Sequence, residues 1–285
     1  MLLSAADAAC YAAKDHGRNR VHVYQSGDSE LVRRQGEMQW VSRIREAIDS
    51  NRLELHYQRI VPTREDATSE GEFCEILLRM RGADGKLIPP GAFLPAAERY
   101  GLAPVIDRWV VDNTLAWLRQ HPDHLNKLRH CAINISGQSM SDDRFLEFLM
   151  TKLSGCGVST NKLCFEITET AAVANLVQAT NFISALAGLG CSFALDDFGT
   201  GMSSFVYLKN LPVQYLKIDG AFVRDITADA IDLAMVKSIN EVAHVMGKQT
   251  IAEFVETDAI LKRLKSIGVD FAQGYAVARP EPLGQ

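Results

Sequence analysis

Acidic and amide side chains recur in or at the carboxyl ends of short apolar runs along this chain. Glu75 lies in Phe-Cys-Glu-Ile-Leu-Leu, Asn134 in Ala-Ile-Asn-Ile-Ser, and Glu166 in Cys-Phe-Glu-Ile-Thr-Glu. Asp196 and Asp197 close Ser-Phe-Ala-Leu-Asp-Asp, and Lys217 lies in Tyr-Leu-Lys-Ile-Asp. Glu253 lies in Thr-Ile-Ala-Glu-Phe, and Gln273 follows Asp-Phe-Ala. Burying an unpaired carboxylate costs several kcal/mol or is avoided by neutralisation, so acids on several buried strands call for a compensating cation. Carboxylate and amide oxygens without cysteine or histidine suit a hard ion, Mg²⁺ or Mn²⁺, rather than zinc. Five carboxylates exceed the usual share of a single Mg²⁺, and the adjacent Asp196-Asp197 could serve two ions. Two such ions about 3.5–4 Å apart activate a water and stabilise the leaving oxygen in phosphodiester cleavage. Lys217 could pair with phosphate or hold the attacking water.

Taken singly, each acid is more often a salt-bridge partner or strand-end cap than a ligand, and Lys217 alone could simply pair with one of them. Taken together, acids on four strands are hard to explain structurally. Asp-Asp-Phe-Gly-Thr-Gly-Met-Ser-Ser, from Asp196, reads either as an ordinary strand-to-helix turn or as a mobile loop with ligands at its base. The histidines form no helical H-x-x-x-H pair; His121 and His124 flank Pro122 in what reads as a solvated polar loop. No two of the six cysteines form C-x-x-C, and Cys74, Cys131, Cys164 and Cys191 sit in apolar runs, which predicts free buried thiols in a reducing compartment.

The elements that must position these groups follow from periodicity. The 285 residues allow one or two domains, and 47% apolar with 23% charged residues is ordinary globular usage. A net charge of -5 leans against a duplex nucleic-acid binder. Met1 to Ala13 lacks the features of a signal peptide, and no apolar run is long enough to span a membrane. Leu2–Lys14 reads as a helix and Val21–Tyr24 as a strand, too little for a core, so residues 1–24 look like the tail of a preceding domain. Residues 25–50 read as a linker and an amphipathic lead-in helix. Predicted strands are Leu53–Val61, Glu72–Arg81, His130–Ser136, Lys162–Thr168, Cys191–Asp196, Gln214–Ile218, Gln249–Phe254 and Asp270–Gln273. Between the later ones lie helical patterns at Asp143–Leu153, Leu176–Gly190, Asp229–Met246 and Asp258–Ile267. Eight strands alternating with helices predict a (β/α)8 barrel, a TIM-like α/β fold, over residues 51–285. The short link Pro62–Gly71 predicts an antiparallel first strand. A doubly wound sheet is the alternative, but no G-x-G-x-x-G or Walker loop is present.

The main segment, about Trp40 to Pro282, resembles the EAL domain, the bacterial phosphodiesterase of cyclic di-GMP. The resemblance rests on Tyr57-Gln58-Arg59-Ile60-Val61, Glu75-Ile76-Leu77-Leu78-Arg79, Asn134-Ile135-Ser136, Glu166-Ile167-Thr168-Glu169 and Asp196-Asp197-Phe198-Gly199-Thr200-Gly201. It continues through Leu216-Lys217-Ile218-Asp219, Ala252-Glu253-Phe254-Val255-Glu256-Thr257 and Gln273-Gly274-Tyr275. Ala6-Asp7-Ala8, Tyr11, Ala13-Lys14 and Gly17-Arg18-Asn19-Arg20 resemble the C-terminal end of a GGDEF domain without its cyclase signature. The first resemblance implies a cyclic-guanylate-specific phosphodiesterase that hydrolyses cyclic di-GMP to linear 5'-pGpG through a two-metal-activated water. The alternative is a catalytically silent cyclic di-GMP receptor. It further implies that Glu75, Asn134, Glu166 and Asp196 hold one Mg²⁺ or Mn²⁺ and Asp197 the second. Glu253 then acts as ligand or general base, and Lys217 positions the water or neutralises phosphate. Gln58, Arg79 and Gln273 face substrate, and Glu169 anchors the Asp-Asp-Phe-Gly loop. Ca²⁺ inhibition, a homodimer through that loop, and a cytoplasmic domain of a larger bacterial protein are also implied. The chain departs from the family pattern at Arg59 for proline, Ile76 for alanine, Met80 for tryptophan, Met202 for tyrosine and Phe254 for glycine. A positive φ at Phe254 would strain a phenylalanine or displace Glu253.

Overall fold

The computed structural model describes residues 29–64, 71–199 and 205–284. The segment resembling a GGDEF tail (1–24), the polar link (25–28), the middle of the Pro62–Gly71 connection, and Thr200 to Ser204 with Met202 lie outside the described residues. The described chain forms two compact units.

The first unit contains the lead-in helix α1 (Ser29–Asp49) and Met80–Leu102. Ile44 and Ala47, three residues apart on one helical face, are fully buried. The Trp40 ring packs 6.5 Å from that of Phe93, at the start of α2 (Leu94–Arg99). A hairpin pairs Met80 and Arg81 with β3 (Leu87–Ile88). Its turn uses Gly85 at φ +78° and Asp84, whose carboxylate accepts from the Lys86 amide.

The second unit, Glu54–Arg79 and Ala103–Gln285, carries the barrel. Its strands are β1 (Leu53–Pro62), β2 (Glu72–Arg81), β4 (Leu128–Asn134), β5 (Leu163–Thr168), β6 (Ser192–Phe198), β7 (Tyr215–Ile218), β8 (Gln249–Ala252) and β9 (Phe271–Ala272). They run in the order β1-β9-β8-β7-β6-β5-β4-β2, and a β1–β2 pairing closes the ring. β1 is antiparallel to β9, and the pairs from β2 through β4–β8 to β9 are parallel. This is the expected eight-stranded barrel with an antiparallel first strand. A short β10 (Glu281–Pro282) adds to β1. Among the helices are α3 (Ala103–Gln120), α4 (Pro122–Lys127), α5 (Gly137–Met140), α6 (Asp143–Gly155), α7 (Glu169–Ala174), α8 (Leu176–Ala187), α9 (Phe205–Leu208), α10 (Gly220–Val223), α11 (Ala230–Val245) and α12 (Asp258–Ile267).

Where observed ends differ from the expected ones, local geometry accounts for it. β8 ends at Ala252 rather than Phe254, because Phe254 adopts φ +51°, outside any strand. β6 runs on past Asp196 to Phe198, because a register irregularity between Leu195 and Phe198 lets Phe198 re-pair with Ile218. The α8 helix stops at Ala187 because Gly188 to Gly190 turn away, Gly190 at φ +96°. His121 and His124 are not in a solvated loop: His121 caps α4, which contains His124, and the His121 ring stacks on Trp117 at 4.2 Å. The Pro122 that suggested a loop is instead a helix-starting proline. Cys74, Cys131, Cys164 and Cys191 are free and buried, as expected.

The barrel interior is layered. One buried apolar cluster takes Ile60, Phe73, Ala132, Cys164, Ala194, Tyr215, Ile251 and Phe271, one from each barrel strand. Side chains two residues apart on a strand share a face. The next inward positions toward the C-terminal ends are therefore Glu75, Asn134, Glu166, Asp196, Lys217, Glu253 and Gln273, with Gln58 from antiparallel β1. An apolar floor thus carries a polar ring at the barrel mouth.

Candidate active site

Lys217 is fully buried at the centre of this ring. Its Nζ lies 3.3 Å from Glu75 Oε2, 2.7 Å from Glu166 Oε2, 3.2 Å from Asp196 Oδ1 and 3.0 Å from Glu253 Oε1. An ammonium has three donors, so it cannot serve four carboxylates with full hydrogen bonds. Amides neutralise none of the excess charge but fix its geometry. Asn134 Nδ2 donates to Glu75 Oε1 at 2.6 Å, and Gln273 Nε2 donates to Glu75 Oε2 at 2.6 Å and to Gln58 Oε1 at 3.2 Å. Gln58 Nε2 in turn donates to the Ala278 carbonyl. Glu166 Oε1 is buried with no hydrogen-bond partner.

Asp197 joins the ring through the irregularity in β6. Strict alternation would turn it away from Asp196. Its left-handed φ of +54° breaks the alternation, and carboxylate oxygens of Asp196, Asp197 and Glu253 lie within 4.8 Å of one another. Asp219, one residue past β7, lies near enough to Asp197 to raise its carboxyl. Sequence reading placed Asp219 in a motif but gave it no role, because its contact with Asp197 depends on that bulge.

The electrostatics express one lysine among many acids. Burial opposes the charge on Lys217, but Asp196, Glu166, Glu253 and Glu75 outweigh it and hold its pKa well above the usual range. Burial, with Glu75 and Asp196 adding to it, drives Glu166 well above the ordinary carboxylate range. Burial also raises Asp196. It raises Glu253 to about 8 despite Lys217. Asp197 is raised to about 6 by burial, then Asp196 and Asp219. Glu75 alone goes down: burial pushes it up, but Lys217, Gln273 and Asn134 together prevail. Without a further cation, the ring relieves its excess charge by keeping protons on its acids.

An orphaned buried oxygen on Glu166, four carboxylates around one ammonium and a hard-oxygen donor set all fit a divalent cation.

Above the ring opens a cavity of about 300 Å³ lined by Gln58, Glu75, Leu77, Arg79, Glu253, Phe254 and Tyr275, among others. Arg79 reaches its wall while donating to the Leu78 carbonyl. Glu169, buried, stands outside the ring: its Oε2 accepts from the Gly199 amide at 2.9 Å and its Oε1 from the Tyr207 hydroxyl, a contact the sequence did not signal. The ring, Asp197 and Arg79 therefore share one mouth, and Glu169 holds the end of the Asp-Asp-Phe-Gly segment that leaves it.

Residues 41–280 match the EAL domain family. The chain is 42% identical over 283 residues, 99% of its length, to cyclic di-GMP phosphodiesterase PdeB of Shewanella oneidensis, and covers 33% of that protein. It is 37% identical over 243 residues, 85% of its length, to cyclic di-GMP phosphodiesterase PdeF of Escherichia coli, covering 32% of it. The chain thus spans about a third of the length of these curated relatives. Among solved structures it superposes on the PaMucR phosphodiesterase in complex with c-di-GMP with a TM-score of 0.79 at 32% identity, covering 86% of this chain and 98% of that one. The FimX EAL domain from Pseudomonas aeruginosa bound to c-di-GMP gives a TM-score of 0.77 at 31% identity, covering 86% of this chain and 97% of that one.

Proposed function

The chain belongs to the EAL domain family, and from that premise we propose that it hydrolyses cyclic di-GMP to linear 5'-pGpG at the barrel mouth. The observation that carries the proposal is the set of four carboxylates, from four strands, gathered within 3.3 Å of a single buried ammonium. Such a ring either keeps protons on its acids or takes up added positive charge, and a phosphodiester brought to a cation-filled mouth is the chemistry that uses it.

Glu75, Asn134, Glu166 and Asp196 would hold one Mg²⁺ or Mn²⁺ and Asp197 the second, with Glu253 beside them as ligand or general base. Bound there, the ions supply Lewis acidity toward a phosphodiester and a water. As general base, Glu253, whose carboxyl is raised to about 8, would accept the water's proton, its carboxylate form being favoured once divalent charge enters the ring. Lys217 stabilises charge on the reacting phosphate or holds the water, its three donors aimed into the ring. Gln273, donating also to Gln58, fixes the Glu75 carboxylate, and the two amides present one edge of the cavity; Arg79 faces the substrate's phosphate from the wall. Glu169 anchors Gly199, and so the start of the loop that follows Asp197. Ca²⁺, larger and with looser coordination, is expected to inhibit. All five acids and the lysine are present, so a silent receptor is not favoured.

Three further assignments belong to this reading. Residues 1–24 are the end of a GGDEF domain, 25–50 a linker and lead-in helix, and 51–285 the phosphodiesterase barrel. The domain works in the cytoplasm as part of a larger bacterial protein. It pairs with a second copy through the Asp-Asp-Phe-Gly loop region, which sedimentation equilibrium tests by mass: a monomer at all concentrations rejects it.

The direct test incubates the purified chain with cyclic di-GMP and Mn²⁺, with and without EDTA. Formation of pGpG that EDTA abolishes is expected. No pGpG in the metal sample rejects the proposal.

A further inference from the structure

One buried carboxylate has no part in the chemistry above. Asp107 lies on the buried face of α3 among Ala103, Ile106, Val110 and Val111, a face that amphipathic helices keep apolar. A carboxylate taken out of water there must be held by hydrogen bonds. Its Oδ2 accepts from the Ser136 amide at 3.0 Å and from the Ser139 hydroxyl at 2.7 Å. Ser139 is fully buried, and its own amide donates to Ser136 Oγ at 3.2 Å. Asp107 therefore clasps the turn that joins β4 to α5.

That turn begins directly after Asn134, the last residue of β4. It is pinned on two further sides. The Ile135 amide donates to the Glu166 carbonyl at 2.8 Å. Gly137 sits so close to α7 that a Cβ on it would stand 2.9 Å from Ala171 Cβ. Asn134 has need of such a seat. Glu75, Glu166 and Lys217 are buried and fixed by packing, whereas Asn134 is exposed at its strand end. Its amide carries no charge to draw it toward an ion, so its backbone must set where its oxygen points. We infer that Asp107 is a positioning residue for the metal centre: by holding Ser136 and Ser139 it fixes Asn134 where its side-chain oxygen can join Glu75, Glu166 and Asp196 on one ion. This rests on the phosphodiesterase reading above and adds to it a residue outside the ring on which metal affinity depends. Groups that orient a metal's ligands commonly govern affinity in this way.

Mn²⁺ titration of the full chain, read by electron paramagnetic resonance, tests this on three variants shown to be folded by circular dichroism. Both hydrogen bonds end on one oxygen of Asp107, so Asp107→Asn keeps an acceptor for both, and Asp107→Leu keeps the shape with no acceptor. Ser139→Ala removes one of the two bonds. The Kd for Mn²⁺ at the tighter site is expected to rise about tenfold or more in Asp107→Leu and to stay within about threefold of wild type in Asp107→Asn, with Ser139→Ala between them. At limiting Mn²⁺, turnover of cyclic di-GMP should fall in Asp107→Leu and recover as Mn²⁺ is raised. If Asp107→Leu does not fold, Ser139→Ala against Asp107→Asn carries the comparison. Equal Mn²⁺ affinity in wild type and Asp107→Leu (or, in its place, Ser139→Ala) overturns the inference, as do equal losses in that variant and Asp107→Asn. A wild type that binds no Mn²⁺ overturns it together with the metal seat. The expected order of Mn²⁺ affinities in proteins that make no pGpG rejects the phosphodiesterase reading and leaves the role of Asp107 standing.

Discussion

At the scale of single residues, the site is governed by a shortage of positive charge. Lys217 cannot satisfy Glu75, Glu166, Asp196 and Glu253 together, so some of these acids must hold either protons or metal. Two predictions follow from that competition. Glu253→Gln keeps the shape but cannot accept a proton, so kcat should fall by about 10²-fold or more with Kd for cyclic di-GMP little changed. Equal losses in both would assign Glu253 to binding alone. The second concerns pH. Glu253 is raised to about 8 and Asp197 to about 6, and Glu166 and Asp196 are raised as well. Between about pH 4 and about pH 8 the metal-free fold therefore binds protons that the unfolded chain has released. Their contribution to stability is complete below about pH 4 and is lost as pH rises through the folded values. Glu75 is held low, so its contribution changes only in more acid solution. In EDTA, Tm should be lower at about pH 8.5 than at about pH 6, and Mn²⁺ should restore it at the higher pH. A metal-free Tm that rises over that window contradicts the crowded-carboxylate account.

At the scale of elements, two backbone departures shape the mouth. The irregularity in β6 brings Asp197 round to the side of Asp196, and the close seat of Gly274 brings β9's end against Val255. A Cβ on Gly274 would stand 2.3 Å from the Val255 amide nitrogen and from its carbonyl oxygen, both backbone atoms. Gly274→Ala is therefore expected to destabilise by about 1–3 kcal/mol in urea unfolding, since backbone cannot rotate aside, and to raise KM through the shifted cavity wall. Unchanged stability would mean that β9 tolerates a displacement. The contrast between these features and the strands marks what sequence could convey. Strand positions were legible because Phe73-Cys74-Glu75 or Ala194-Leu195-Asp196 alternates at period two between buried faces. The end of β8 was not, since nothing in Ala-Glu-Phe-Val states that Phe254 turns left-handed; only the departure from the family glycine raised the question. Helix α3 went unremarked, whereas α6, α11 and α12 carried clear start signals in Asp142, Asp229 and Thr257, whose side chains cap them.

At the scale of the whole molecule, the barrel converts a sequence rule into a site. On every strand of the ring an apolar residue of the floor is separated by one position from a polar residue of the mouth, from Phe73 and Glu75 to Tyr215 and Lys217. That spacing made the candidate ligands legible before any coordinates, because closing eight such strands leaves one place for their polar ends to meet. What it could not convey was which side chains touch. The contact of Lys217 with four acids and the Tyr207 hydroxyl on Glu169 are products of closure, joining positions far apart in the chain. The central claim, that this ring is a seat for divalent metal, is tested most directly by counting Mn²⁺ bound per chain by electron paramagnetic resonance. Wild type should approach about two ions per chain at saturation, and Asp196→Ala, which removes a ligand of the first ion next to Asp197 of the second, should lose most of that binding while remaining folded. Equal Mn²⁺ binding by wild type and Asp196→Ala, or none by either, would contradict the account.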